Sequence, residues 1–524
     1  MAFVKTAQRP GPAGLQTLAV IDIGSSAIRM EIAEISTDGR VTALENLKRA
    51  VPLGRDCFAT GKIDRRTINL AIDVLRDFQN VLEPYGVRHI RAVATNAVRE
   101  ASNQELFVER VYMATDIAVD VITGAEESRL LYTAVRHAFA RAGLTLDDDA
   151  LIIEQGAGHL DATRLKKGEV LLATSFPLGT LRVTGAVANE SRGGAATLDL
   201  MKQFIGHALS EINHALHFDE IGQLVMLGAE VRFAAERLQK KEAAGVRKVR
   251  RNQLLKFARG TAKLRPEQIA EAYGLPFEEC ESLVPCLMSY AEIVKRTPVD
   301  AIVIPPVSLR DGLILDYIAD PTGKSELDAQ IYASAENLGR RYQFDEPHAR
   351  HVTELATILF DALAEEHGLS KRERRLLRVA SLVHDIGLFI SGASHHKHSE
   401  YLINAADIFG IRDADKAIVA SVARYHRRAL PQATHMGFVS LARKERATVS
   451  KLAALLRIAD ALDRSHSQRI HLKKVELSAE ELVLTIDGDQ DLALERLSMR
   501  AKADLFEEVF GRTVLLQPQR FEDA

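Results

Sequence analysis

Cysteine is scarce in this chain. Cys57, Cys280 and Cys286 are the three it has in 524 residues. An odd number with no CxxC spacing argues against a disulfide framework or a zinc ribbon and for a reducing compartment. No continuous apolar run reaches the roughly 18 residues that a membrane-spanning helix needs. The opening stretch, MAFVKTAQRPGPAG, has one lysine and no apolar segment behind it, so it does not read as a secretory signal. Net charge is missing too: 68 Lys+Arg against 71 Asp+Glu leave −3, which gives no global pull toward a membrane surface or nucleic acid. These absences predict a cytoplasmic protein with no membrane or nucleic-acid partner, in which any polyanion site is local.

At 57.8 kDa the chain is too long for one core, since domains usually run about 100–200 residues. Its 47% hydrophobic and 27% charged residues are ordinary globular usage. The segment LQTLAVIDIGSSAIRMEIAEIS reads as a hairpin around a polar, glycine-containing turn. LIIEQGAGHLDATRLKKGEVLLATSFPLG repeats the pattern: strand, glycine turn, strand, strand. Two such hairpins predict two facing α/β lobes with a cleft between them, over 17–140 and 141–320, after a disordered tail over 1–16. Asp320-Pro321-Thr322-Gly323 reads as a linker. A nearly all-helical domain follows over 325–466, and then a hairpin, helix and strand that make a small α/β cap over 467–524.

A carboxylate at a strand end, followed by a tight turn of small residues, suits phosphate chemistry. The turn lets backbone N–H groups approach an anion, and the acid can hold a divalent cation. Asp22-Ile23-Gly24-Ser25-Ser26 has this form, and Glu154-Gln155-Gly156-Ala157-Gly158-His159 is its second copy. An ordinary hairpin turn capped by an acid accounts for either one alone; the repetition favours the phosphate reading.

These residues resemble the exopolyphosphatase / guanosine pentaphosphate phosphohydrolase (Ppx/GppA) family, in its long form. DIGSSAIRM is similar to that family's first phosphate motif, ATNAVREASN to its second landmark, GAEESRLLYTAV to its catalytic segment and SFPLGTLRVT to the stretch after the second turn. The resemblance implies an actin/sugar-kinase-like (ribonuclease H-like) pair of lobes. It implies Glu127 as the general base that activates water. It implies phosphate contacts from Gly24, Ser25, Ser26, Arg29, Asn96, Arg99, Gly156, Gly158 and His159. It also implies a divalent cation near Asp22 and Glu154, with Mg²⁺ first and Mn²⁺ as the other candidate. Substrates would be inorganic polyphosphate or guanosine pentaphosphate, and the assembly a homodimer. Where that family has Asp-Ile-Gly-Gly-Gly-Ser, this chain has Glu154, Ala157 and His159. A Cβ at Ala157 would hurt if the backbone there needed positive φ, and His159 could replace the hydroxyl donor or crowd the phosphate. Where the family has Gly-Gly-Thr, this chain has Gly228-Ala229-Glu230. The altered second turn leaves a non-catalytic polyphosphate or nucleotide sensor as a rival reading.

The helical half carries His351, His384-Asp385 and Asp460, the ligand order of HD-type metal-dependent phosphohydrolases; imidazole and carboxylate together suit Mn²⁺, Fe²⁺, Zn²⁺ or Mg²⁺. A working metal site and a buried polar network both fit that pattern. His395, His396, His398 and His426 lie nearby in sequence. The basic residues Lys240, Lys241, Arg247, Lys248, Arg250, Arg251, Lys256, Arg259, Lys263 and Arg265 read as a solvated helical face or as a track for a long polyanion.

Overall fold

The computed structural model describes residues 16–188, 195–239, 245–318, 326–427, 429–487 and 492–518. All but the last residue of the expected tail over 1–16, the expected linker at 320–323, and Lys240 and Lys241 lie outside the described residues. The chain forms two compact units, Met1–Gly323 and Lys324–Ala524.

The first unit contains the same sheet built twice. Strands β1 (Gln16–Ile23), β2 (Ala27–Ile35), β3 (Val41–Ala50), β4 (His89–Ala94) and β5 (Val119–Val121) are ordered β3-β2-β1-β4-β5. Strands β6 (Ala150–Gln155), β7 (Leu160–Lys166), β8 (Glu169–Phe176), β9 (Gln223–Leu227), β10 (Arg247–Arg250) and β11 (Ala301–Ile304) are ordered β8-β7-β6-β9-β11-β10. In each sheet three antiparallel strands lead into parallel ones, which need crossover connections. Continuous apolar text in β1 follows from coverage of both faces: Leu18, Ala19, Val20, Ile21 and Ile23 are all buried. The covering helix Arg65–Leu82 buries Ile68, Ala71, Ile72, Leu75, Phe78 and Leu82 at helical spacing, and Asp64 caps its first turn.

The repetition extends to the connections. Pro52-Leu53-Gly54 follows β3 and Pro177-Leu178-Gly179 follows β8. Each opens a helix, Leu53–Thr60 or Thr180–Ala188, whose first amides reach back to the hairpin turn. Gly54 N–H donates to the Ser25 carbonyl at 2.7 Å, and Leu181 N–H to the Ala157 carbonyl at 2.8 Å. A side chain on Gly179 would overlap Ala157 and Gly158 backbone, and one on Gly54 would come within 2.7 Å of Ser25 Cβ. Glycine is therefore the residue that lets each helix sit on its turn.

Three local readings change. The basic run is not all helical: Arg247–Arg250 is a strand, because Arg247 and Val249 point inward while Lys248 and Arg250 face solvent. Its charges hide a period-two pattern, and the buried Arg247 pairs with Glu236 at 3.3 Å. The strand QLVML stops at Leu227, where Gly228 (φ 109) starts helix Ala229–Leu238. The single helix expected in the cap over 467–524 is two, Ala493–Lys502 and Asp504–Phe510.

In the second unit, helices from Glu326 to Leu462 precede a three-stranded sheet of β12 (Leu472–Leu477), β13 (Glu481–Ile486) and β14 (Thr513–Pro518). No helix among the described residues is long and apolar enough to cross a membrane.

Two glycines, one just before helix Thr180–Ala188 and one within it, give a paired test. Gly179→Ala must push backbone apart and should cost about 2 kcal/mol or more. Gly185→Ala meets nothing within 4 Å and should stabilise by about 0.5–1 kcal/mol. Urea denaturation midpoints of the two variants check both signs.

Candidate functional site

The two hairpin turns superpose in role. Gly24 N–H donates to the Ala27 carbonyl at 3.1 Å, and Gly156 N–H to the His159 carbonyl at 2.8 Å. The N–H groups of Ser25 and Ser26, and of Ala157 and Gly158, find no acceptor among the described residues, so each turn has two free donors for an anion. Ala157 is not among the residues with positive φ, so its Cβ brings no strain. From beneath, Tyr290 holds the second turn: its hydroxyl accepts from Gln155 N–H at 2.8 Å and donates to the Leu227 carbonyl at 2.6 Å.

Register places the acids. Asp22 sits opposite Arg29 across β1–β2, and Glu154 opposite Asp161 across β6–β7. Arg29 approaches Asp22 at 3.6 Å. Asp161 accepts from Ser175 Oγ and from the Asn96 side chain. The sequence reading missed Asp161, although its spacing from Glu154 equals that of Arg29 from Asp22, a signal carried by the repeat itself.

Glu127 lies in the first turn of helix Gly124–Ala142, where the Thr123 hydroxyl accepts from Glu126 N–H at 3.1 Å. The two adjacent acids do different work. Glu126 is bound by Arg129 through two 2.8 Å contacts, and Arg129 also reaches Asp316 at 2.8 Å. Glu127 is buried, and its Oε2 has no hydrogen-bond partner; the nearest cation is Arg99 Nη1 at 3.5 Å. Arg99 is steered by the Ile122 carbonyl at 2.6 Å and by Asn96 Oδ1.

Burial and then the charge of Asp161 push the Glu127 carboxyl well above its usual range. Glu154 and Asp22 add to the rise, and Arg99 opposes it. Burial and Asp161 likewise push Glu154 up to about 7. Asp161 is raised by burial, against its hydrogen bond from Ser175. Asp22, Glu127, Glu154 and Asp161 thus act on one another electrostatically, with Arg29 and Arg99 as facing cations.

His159 is placed otherwise than the resemblance implies. Its Nε2 lies 2.7 Å from Glu100 Oε1, and its Nδ1 is buried without a partner. Burial and then Arg182 push it down to about 3, so the ring is neutral and its N–H is spent on Glu100. Arg182 pairs with Glu100 at 2.7 Å and donates to the Gly158 carbonyl at 2.8 Å. Glu230 accepts from Ser282 Oγ at 2.8 Å.

In the helical unit, His384 and Asp460 meet His348 rather than His351. His348 Nε2 is 3.7 Å from Asp460 Oδ1. His351 lies three residues further along helix Glu346–Ala362, nearly one turn up, and its ring meets His471 edge-on at 5.5 Å. Asp385 joins a separate group with His395 and His426.

Comparison with known families settles the relationship. The Ppx/GppA phosphatase family model matches residues 32–320, and that of Ppx/GppA phosphatase domain III matches residues 332–508. This chain belongs to the Ppx/GppA phosphatase family. Among its Ppx/GppA relatives, the guanosine-5'-triphosphate,3'-diphosphate pyrophosphatase of Vibrio campbellii is 27% identical over 90% of this chain and 92% of its own length. That of Vibrio parahaemolyticus is 26% identical over the same shares. The crystal structure of an exopolyphosphatase from Cytophaga hutchinsonii covers 58% of this chain and 98% of its own, at 22% identity and a TM-score of 0.52. The fold of the first unit of this Ppx/GppA member is accordingly the actin/sugar-kinase-like α/β fold.

The raised acids predict a pH dependence. A carboxyl whose value rises from 4.5 to about 7 holds its proton in the folded chain where the unfolded chain has lost it. Its contribution is therefore complete below about 4.5 and is lost as pH rises through about 7. In the presence of chelator, Glu154→Gln should gain on the order of 1–3 kcal/mol over the unmodified protein at pH 8 and nothing at pH 4. Denaturant unfolding at both pH values measures the difference.

Proposed function

We propose that this Ppx/GppA phosphatase hydrolyses phosphoric anhydrides in the cleft of its first unit, releasing terminal orthophosphate from inorganic polyphosphate. The observation that carries this reading is the buried, unpartnered Glu127 Oε2 beside Arg99, within electrostatic reach of Asp22 and Glu154, the acids that precede two turns with free backbone donors. Family membership supports the reaction class.

Four carboxylates would repel a polyanion. The all-oxygen set around Asp22 and Glu154 fits a hard divalent cation, Mg²⁺ or Mn²⁺. Glu127 Oε2, buried without a donor, is where such a charge would relieve the cluster. When bound, the cation supplies charge neutralisation and polarises phosphoryl oxygens. The chain's own groups do the rest. The amides of Ser25, Ser26, Ala157 and Gly158 hold phosphoryl oxygens, and Arg99 and Arg29 balance charge. Glu127 orients a water and takes its proton as the oxygen attacks the terminal phosphorus; the P–O anhydride bond breaks and the shortened chain leaves.

A second substrate, the 5′-phosphate of guanosine pentaphosphate, is favoured by the curated relatives, each called guanosine-5'-triphosphate,3'-diphosphate pyrophosphatase. The sensor reading rested on the altered second turn. Its free amides and unstrained Ala157 support catalysis instead. The family resemblance is the basis for a cytoplasmic homodimer and for an HD-type reading of the helical unit with a small cap at its end; sedimentation at twice 57.8 kDa tests the dimer.

Phosphate release from long-chain polyphosphate and from guanosine pentaphosphate, with Mg²⁺ or Mn²⁺, tests the proposal. Glu127→Gln should lower kcat by roughly 10²–10⁴-fold on whichever substrate turns over. Loss confined to Asp385→Asn would move the chemistry to the helical unit, and binding of either substrate without release would revive the sensor.

A further inference from the structure

The helical unit brings two imidazole nitrogens and a carboxylate oxygen within about one ligand-to-ligand distance of one another. His395 Nε2 and His426 Nε2 lie 3.2 Å apart, and Asp385 Oδ1 lies 3.1 Å from the first and 3.2 Å from the second. Each imidazole is committed at its other nitrogen: His426 Nδ1 to the Ala423 carbonyl at 2.6 Å, and His395 Nδ1 to the Gly392 carbonyl at 3.3 Å. A carbonyl accepts only, so both Nδ1 atoms carry a hydrogen, and in the neutral ring each Nε2 presents its lone pair. Asp385 Oδ1 is buried and receives no well-directed hydrogen bond. Neutral neighbours do not relieve it: His384, fully buried, is committed through Nδ1 to the Ser381 carbonyl at 2.7 Å, and its Nε2 is also without a partner.

The triangle has the dimensions of a coordination face. Ligand atoms about 2.0–2.2 Å from one ion, at angles of 90–109°, lie about 2.8–3.6 Å from each other. Backbone carbonyls behind the imidazoles are the usual outer partners that orient metal-binding histidines. Three separate chain ends deliver the ligands: Asp385 after helix Lys371–Val383, His395 as the first residue of helix His395–Ala405, and His426 after helix Asp413–Arg424. Their approach is tight, since a side chain on Gly387 would overlap the His395 carbonyl and Ser399.

The neighbouring group differs in one respect. Asp460 has a cation already, the Lys502 ammonium. His348 is committed to Asp463 through Nδ1 at 2.8 Å. The Asp385 group has no lysine or arginine pair among the described residues.

We propose that Asp385, His395 and His426 form a binding site for one divalent first-row transition metal, distinct from the cation site of the catalytic cleft. Two imidazoles and one carboxylate select Zn²⁺, Fe²⁺, Mn²⁺ or Co²⁺ over Mg²⁺ and Ca²⁺. His351, three residues beyond His348, takes no part, and the Asp460 pocket keeps its ammonium.

The readout is metal content and spectrum rather than turnover. Full-length protein stripped with chelator is titrated with Co²⁺, and the visible absorption and bound stoichiometry are followed, with far-ultraviolet circular dichroism as the check on folding. The expected result is one tightly bound Co²⁺, displaced by Zn²⁺ and not by a thousandfold excess of Mg²⁺. His395→Gln and His426→Gln should each weaken binding at least 100-fold, and His351→Gln should leave it unchanged. Absence of Co²⁺ binding by the folded, unsubstituted protein overturns the proposal. So does equal affinity in a folded His395→Gln variant, or binding lost in His351→Gln.

Discussion

Mutual repulsion among buried carboxylates is the constraint around which the first unit is organised. Asp22, Glu127, Glu154 and Asp161 come from both sheets and one helix start, and burial together with the charges of the others lifts Glu127 well above its ordinary range. Such a cluster costs stability unless protons or a cation neutralise it. The surrounding structure over-determines its placement. Glu126 is locked to Arg129 and Asp316, Asn96 and Ser175 hold Asp161, and Tyr290 supports the second turn. A site of this kind is held in an unfavourable electrostatic state by packing, and ligand binding then relieves it.

The repeated fold explains why the same chemistry can be approached from two sides. Each lobe supplies a hairpin turn with free amides and a Pro-Leu-Gly helix start that braces the turn from outside. The lobes differ at one rung, where Arg29 in the first is replaced by Asp161 in the second. One lobe therefore adds positive charge at that position and the other adds negative charge. The altered residues of the second turn fit this arrangement: Ala157 sits in ordinary backbone, and His159 is turned to Glu100.

Much of this was legible in the sequence. The doubled hairpin pattern gave the two sheets, and the structure brings Asp22, Glu127, Glu154, Arg29 and Arg99 into electrostatic contact, with Asn96 bonded to Arg99. Asp161 was hidden because a lone acid in a strand reads as a surface residue until register pairs it with Glu154. The strand Arg247–Arg250 was hidden because arginine and lysine mask a period-two pattern. His351 was chosen over His348 because two buried histidines one turn apart on a helix look alike in sequence, and only the fold shows which one meets His384 and Asp460. Nor does sequence say that Lys502, forty-two positions from Asp460, returns to neutralise it.

Glu127 carries a strongly raised carboxyl because burial, and then Asp161 and its neighbours, disfavour its charge. Titration of the Glu127 side-chain carboxyl carbon by ¹³C NMR, in metal-free protein, tests this most directly. The expected midpoint lies well above the ordinary value of about 4.3 and falls when Asp161 is replaced by Asn. A Glu127 midpoint near the ordinary value in the unsubstituted protein, or one that Asp161→Asn leaves in place, would contradict it.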